Sequence, residues 1–130
     1  MSDLLFDTCF LIDLERELSR GGGPCHEFLR GHASARPWIS CTVVGEFAEG
    51  FAAITEPPCA ALLGRFEFLS HTRETAEHYA RITRKMRRAK QLIGTNDLWI
   101  AASAMQHAMP VVTRNLHEFS RIPGLRLVAY

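Results

Sequence analysis

Short apolar runs alternate along this chain with longer stretches in which apolar residues recur every three to four positions. Leu4-Leu5-Phe6 breaks off at Asp7-Thr8, the pattern of a buried strand that delivers a polar pair at its carboxyl end. From Thr8, the apolar positions Phe10, Leu11, Leu14 and Leu18 carry helical spacing. Gly21-Gly22-Gly23 stops that helix, and Pro24 starts a second over residues 24–35. Pro37 to Cys41 reads as a second strand, with Thr42 placed to cap a helix from Val43 to about Ala53. Pro57-Pro58 open another helix through Leu62, Leu63 and Phe66, and Phe66 to Ser70 carries a third strand. A long helix spans residues 73–90. After the Gly94 turn a further helix runs from Asp97 to about His107, with Thr95 or Asn96 as its cap. Pro110 to Thr113 is a buried strand, and Arg126 to Ala129 a last short one.

Strands that alternate with helices imply βαβ units. The expected fold is therefore a three-layer α/β/α single domain, residues 1–130, with a mainly parallel central sheet. In such sheets ligands bind beyond the carboxyl ends of the strands, near the point where strand order reverses. Asp7 and Thr113 both fall at that edge.

Composition narrows the class. The chain is 47% hydrophobic and 22% charged, which suits a packed core, and its net charge of +1 gives no global pull on nucleic acid. An attraction for RNA must be local, and the long helix offers one. Arg81, Arg84, Lys85 and Arg88 make two i,i+4 pairs that read either as a solvated face or as phosphate contacts. Cys9, Cys25, Cys41 and Cys59 form no C-x-x-C, and three lie in apolar stretches, so reduced, buried thiols are expected. Neither a signal peptide nor a membrane span is evident, which predicts a soluble, cytoplasmic protein without a membrane partner.

The candidate chemistry is acidic. Asp97 sits in the first turn of its helix, where the helix dipole favours an anion. Asp7 ends a strand, Glu46 lies one turn inside a helix, and the segment Asn115 to Glu118 follows another strand. Singly, each has a plain structural reading: Asp7 and Asn115 as turn residues, Glu46 as a solvated helix residue for which Glu49 is a chemical equal. Asp13 reads as a decoration of the first helix. Together, carboxylates in one cleft raise each other's pKa and persist chiefly when a cation neutralises them, and all-oxygen ligands select hard ions.

Four segments carry a resemblance: Asp7-Thr-Cys-Phe-Leu-Ile-Asp13, Ile39-Ser-Cys-Thr-Val-Val-Gly-Glu46-Phe-Ala-Glu-Gly50, Ile93-Gly-Thr-Asn-Asp97-Leu-Trp-Ile-Ala-Ala102 and Val111-Val-Thr-Arg-Asn115-Leu-His-Glu-Phe119. In this order the sequence resembles PIN-domain ribonucleases, and more narrowly the VapC-type toxins of bacterial toxin–antitoxin pairs. The resemblance implies a PIN-like fold and an endoribonuclease that uses one or two Mg²⁺ or Mn²⁺ ions, with Asp7, Glu46 and Asp97 as catalytic, metal-binding acids. Asn115 stands where the family often has Asp, so Asn115 or Glu118 fills the fourth position, and Thr8 and Thr113 support the ligands. It also implies RNA as substrate, a cognate antitoxin covering the site, and a homodimer for which Phe47, Phe51, Phe66 and Phe68 offer apolar surface. The competing reading is a catalytically weak or inactive PIN-like module that binds RNA or protein.

Overall fold

The computed structural model describes residues 2–130. Five strands form one sheet: β1 (Asp3–Phe6), β2 (Arg36–Ser40), β3 (Glu67–Leu69), β4 (Val111–Val112) and β5 (Leu127–Val128). Their order is β3-β2-β1-β4-β5 and every pairing is parallel. β1 is central because Leu4, Leu5 and Phe6 are apolar on both faces, as a strand covered on both sides requires. Leu5 and Phe6 pair with Val111 and Val112, so the first and the penultimate strand meet at the reversal of strand order.

Seven helices flank the sheet among the described residues: α1 (Thr8–Leu18), α2 (Pro24–Gly31), α3 (Cys41–Ala48), α4 (Pro57–Leu63), α5 (Arg73–Arg88), α6 (Thr95–His107) and α7 (Leu116–Phe119). α1 packs against α2 and α3, while α5 and α6 form an antiparallel pair with α6 touching α3. Phe6, Phe10, Phe28 and Phe66 meet edge to face at 4.6 to 5.9 Å in the core, the arrangement that the ring quadrupole favours. No described helix is long and apolar enough to cross a membrane.

Several boundaries differ from the sequence expectation. α2 stops at Gly31 rather than at residue 35, because the His32 amide closes the last turn onto Phe28 and Leu29 and the backbone then leaves the helix. α3 starts at Cys41, not Val43: Ser40, at the end of β2, turns its hydroxyl back to the Val43 amide at 3.4 Å and takes the capping role expected of Thr42. α3 also ends at Ala48 instead of near Ala53. α4 ends at Leu63, short of Phe66. α6 begins at Thr95 with Gly94 as its uncapped N-cap residue, so neither Thr95 nor Asn96 caps it. α7, within the 115–118 segment, was not expected as a helix.

Phe47 and Phe66 are core residues, not interface candidates; Phe51 is half-buried and Phe68 exposed. All four cysteines are free, Cys25 and Cys59 in the core, Cys9 half-buried and Cys41 exposed at the start of α3.

Candidate active site

The site begins where β1 gives way to α1. Asp7 leaves the strand in extended backbone geometry and caps α1, its Oδ1 accepting from the Thr8 amide at 2.8 Å. Oδ2 accepts from the Thr113 hydroxyl at the end of β4 (2.7 Å) and from the Cys9 thiol (3.4 Å). Three donors on two oxygens fix this buried carboxylate and leave one lone-pair direction on Oδ1 open.

Glu46 reaches the same edge from α3. Its Oε1 accepts from the Thr8 hydroxyl at 2.6 Å and its Oε2 from the Asn96 side-chain amide at 3.0 Å. Asn96, expected as a helix cap, instead ties α6 to α3. Glu49, chemically equal to Glu46 in sequence, is exposed and shares none of these bonds.

Asp97 lies one residue on, half-buried in the first turn of α6. The Asn115 side-chain amide donates to Asp97 Oδ2 at 3.4 Å and to Glu118 Oε2 at 3.5 Å, and Glu118 comes within hydrogen-bonding reach of Asp97 itself. Asn115 thus presents its NH₂ group to the two acids. Its backbone amide donates to the Thr113 hydroxyl at 2.9 Å, which links the β4 turn to Asp7.

Electrostatics follow from this crowding. Burial, with the charges of Asp7, Glu118 and Glu46, pushes the Asp97 carboxyl up to about 7. Burial also raises Asp7, against the pull of its bonds from Thr113 and Thr8. Burial and the Asp7 charge raise the Cys9 thiol, which therefore remains a neutral donor. Among the described residues no lysine or arginine pairs with any of these four acids.

The donor set is carboxylate oxygen with hydroxyl and amide support, which suits a hard divalent cation. Its spacing is open. Among the described residues, no three His, Cys, Asp or Glu side chains stand close enough to hold an ion as they are.

The basic residues lie elsewhere. Arg81, Arg84, Lys85 and Arg88 are exposed on the face of α5 opposite its buried Ile82, Thr83 and Met86, and touch none of the acids. The carboxyl end of α5 leads through residues 89–94 into α6, on the side of Asp97. Trp99, read first as core, is half-buried and stacks on Tyr79 at 4.1 Å and on His71 at 5.1 Å.

Three features escaped the sequence reading. Cys9 could have been suspected from its place two residues after Asp7. The pairing of Asn96 with Glu46 spans 50 positions and left no local signal. Asp13 is not mere decoration: it accepts from Arg114 through both oxygens, at 2.8 and 3.0 Å, and from the Tyr130 hydroxyl at 2.7 Å.

Known proteins share both the sequence and the fold. The PIN domain family model matches residues 4–125. Ribonuclease VapC1 of Rickettsia felis is 29% identical, over 96% of this chain and 94% of its own length. Ribonuclease VapC4 of Mycobacterium tuberculosis is 29% identical, over 69% of this chain and 74% of its own. Among solved structures, DNA-bound VapBC from Salmonella typhimurium superposes with a TM-score of 0.77 at 27% identity, covering 99% of this chain and 98% of the other. VapBC2 from Rickettsia felis, bound to a promoter DNA fragment, reaches 0.82 at 22% identity with 98% of both chains covered.

Proposed function

Because the chain belongs to the PIN domain family, we propose that it is an endoribonuclease toxin of the VapC type, hydrolysing RNA phosphodiesters until a cognate antitoxin neutralises it. The observation that carries this reading is the convergence of Asp7, Glu46, Asp97 and Glu118 without a basic partner, crowded enough to bring Asp97 to about 7. Such a cluster costs stability, and it is retained where its charge is put to use.

Asp7, Asp97 and Glu46, with Glu118 in the fourth position, are the residues that would hold Mg²⁺ or Mn²⁺, one or two ions. Asn115 bridges Asp97 and Glu118 through its side-chain amide, and with that amide turned over it offers a neutral oxygen beside Glu118 at the fourth position. When bound, the metal supplies a Lewis acid for the phosphoryl oxygens and lowers the pKa of a water molecule. The protein's own residues do the positioning. Thr8, Thr113 and Cys9 hold Asp7 with one open lone pair toward the cleft. Thr8 and Asn96 hold Glu46 by one donor on each oxygen, which leaves it oriented to accept a proton from an attacking water. Their hydroxyl and amide protons keep the carboxylates in fixed rotamers, so the cost of ordering them is met before RNA arrives.

The exposed basic face of α5, with Arg81, Arg84, Lys85 and Arg88, draws in the RNA backbone. The protein acts in the cytoplasm as a single domain that pairs into a homodimer, with the exposed Phe68 and the half-buried Phe51 as the remaining apolar candidates for the contact.

The deciding experiment incubates the purified protein with a mixed RNA pool and Mg²⁺ or Mn²⁺. Cleavage is expected to stop in chelator and to fall by roughly two orders of magnitude or more in Asp97→Asn, the scale of several kcal/mol of transition-state stabilisation. Cleavage that survives both would refute the carboxylate mechanism. Binding without cleavage under any metal would leave an inactive module.

A further inference from the structure

A second polar recess, of about 400 Å³, opens beside the acidic cleft between α1, the glycine turn that follows it, and the β4–α7 turn. Arg16 lines it from the last turn of α1, Arg20 from the turn that follows, Arg114 from the β4–α7 turn, and Tyr130 closes one side. We propose that this recess binds a phosphate of the RNA strand further along from the one being cut. The inference rests on the ribonuclease reading above and names a contact that α5 does not supply.

The charge balance decides which sign of ligand the recess takes. Two acids, Asp13 and Glu17, also line it, but both are already engaged. Asp13 takes the Arg114 guanidinium on both oxygens and the Tyr130 hydroxyl on one. Glu17 is buried, and its oxygens accept from the Cys25 and His26 amides and from the His26 ring. The cations are not used up in the same way. Arg114 spends only Nη1 on Asp13, leaving the rest of its five N–H donors free. Arg16 stands 3.9 Å from Asp13, outside hydrogen-bonding distance, and Arg20 pairs with no acid among the described residues. Arg16 stands in the last turn of α1 and Arg20 in the turn just past its C-cap, Ser19, and both line the same recess. The free donors therefore belong to three guanidiniums, the group whose planar fork matches phosphate.

Position ties the recess to the reaction. Arg114 follows Thr113, whose hydroxyl holds Asp7, and Asp13 lies on the helix that Asp7 caps, about 9 Å along its axis at 1.5 Å per residue. Asp13 also fixes the direction of Arg114, so one donor group is pre-aimed, while Arg16 and Arg20 stand exposed without a hydrogen-bonding side-chain partner among the described residues. A strand lying with one phosphate at the acids and running along α1 thus meets arginines at a phosphate further on, which sets the direction in which RNA enters.

The test measures binding of a mixed-sequence single-stranded RNA oligonucleotide in the Asp97→Asn background, with and without Arg16→Gln/Arg20→Gln. Both arginines are exposed, Arg16 in the last turn of α1 and Arg20 just past it, and thermal unfolding checks that the fold is intact. The double substitution is expected to weaken binding about tenfold and to lower the salt slope by about 0.7, the loss of one phosphate contact on a single strand. Arg114→Lys, which keeps the charge but not the fork, should show part of that loss. Inorganic phosphate at equal ionic strength should compete weakly, whereas the oligonucleotide competes well. Unchanged affinity and slope would overturn the inference, as would polyglutamate displacing the RNA as well as an oligonucleotide of equal charge. Either result leaves wild-type cleavage, and with it the ribonuclease reading, untouched. A wild type that neither cuts nor binds RNA overturns both.

Discussion

Asp97 shows how a functional residue sets a stability profile. Its carboxyl stands at about 7 in the fold against an ordinary 3.8, because burial and three neighbouring acids disfavour its charge. Folding therefore takes up a proton between these values. The contribution is fully present below about pH 4 and is lost as pH rises through about 7. Asp7, raised in the same direction, adds to the slope. Asp97→Asn removes the charge that must be buried, so in chelator the variant is expected to melt above the wild type at pH 8, with the gap closing by pH 5. Thermal unfolding at the two pH values checks this; a wild type that outlasts the variant at pH 8 would contradict it. Asp7 and Asp97 were legible in sequence because a strand end and a helix start announce themselves locally. Cys9 was less so, since a thiol in an apolar helix reads as packing until its hydrogen bond to Asp7 is seen.

The joint between α1 and α2 belongs to the scale of elements. α2 opens on Pro24 with Gly23 at the cap position and no side-chain cap of its own. Glu17 of α1 fills that role from outside, accepting from the Cys25 amide at 2.8 Å and the His26 amide at 3.1 Å. Burial would raise its carboxyl, but these bonds and that of the His26 ring bring it down to about 2. The same approach explains Gly23: a Cβ there would stand 2.6 Å from the Glu17 Cδ. Glu17→Ala should cost about 2 kcal/mol, the range for a buried, charge-assisted cap left unmade. Since the native pKa is depressed, the Glu17 contribution is present above about 4.5 and disappears as pH falls toward about 2. Urea midpoints for wild type and variant should therefore converge under acid. From sequence, Gly21 to Gly23 read only as a helix stop. The pairing of residue 17 with residues 25 and 26 is a tertiary fact that neither periodicity nor propensity encodes; the Ser40 cap of α3, by contrast, is a local bond to Val43, hidden in sequence only because Thr42 offers the same chemistry two residues on.

At the scale of the molecule, the alternation of apolar runs was enough to expect a mainly parallel sheet with its chemistry at the carboxyl edge, because a strand such as Leu4 to Phe6 can only be buried on both faces. Strand order was not accessible, since it depends on which apolar runs meet. Parallel pairing brings the ends of the chain together: β1 lies between β2 and β4, and Thr113 reaches Asp7 across 106 positions. A chain cut at residue 109 lacks β4, β5 and the donor for Asp7, and exposes one edge of its central strand. It is expected to show no cooperative thermal transition by circular dichroism and no cleavage of RNA, whereas a cooperative fold in that fragment would show that the second half of the sheet is dispensable.

That long span also places the acids in time. Asp7 is made 106 positions ahead of its hydroxyl partner, and β4, the strand that supports it, follows both Glu46 and Asp97. A growing chain on the ribosome holds all of Asp7, Glu46 and Asp97 before it has the strand that fixes the first of them. The cleft is completed only once β4 has been made, so the three acids are present on the nascent chain before the protein has the means to cut RNA.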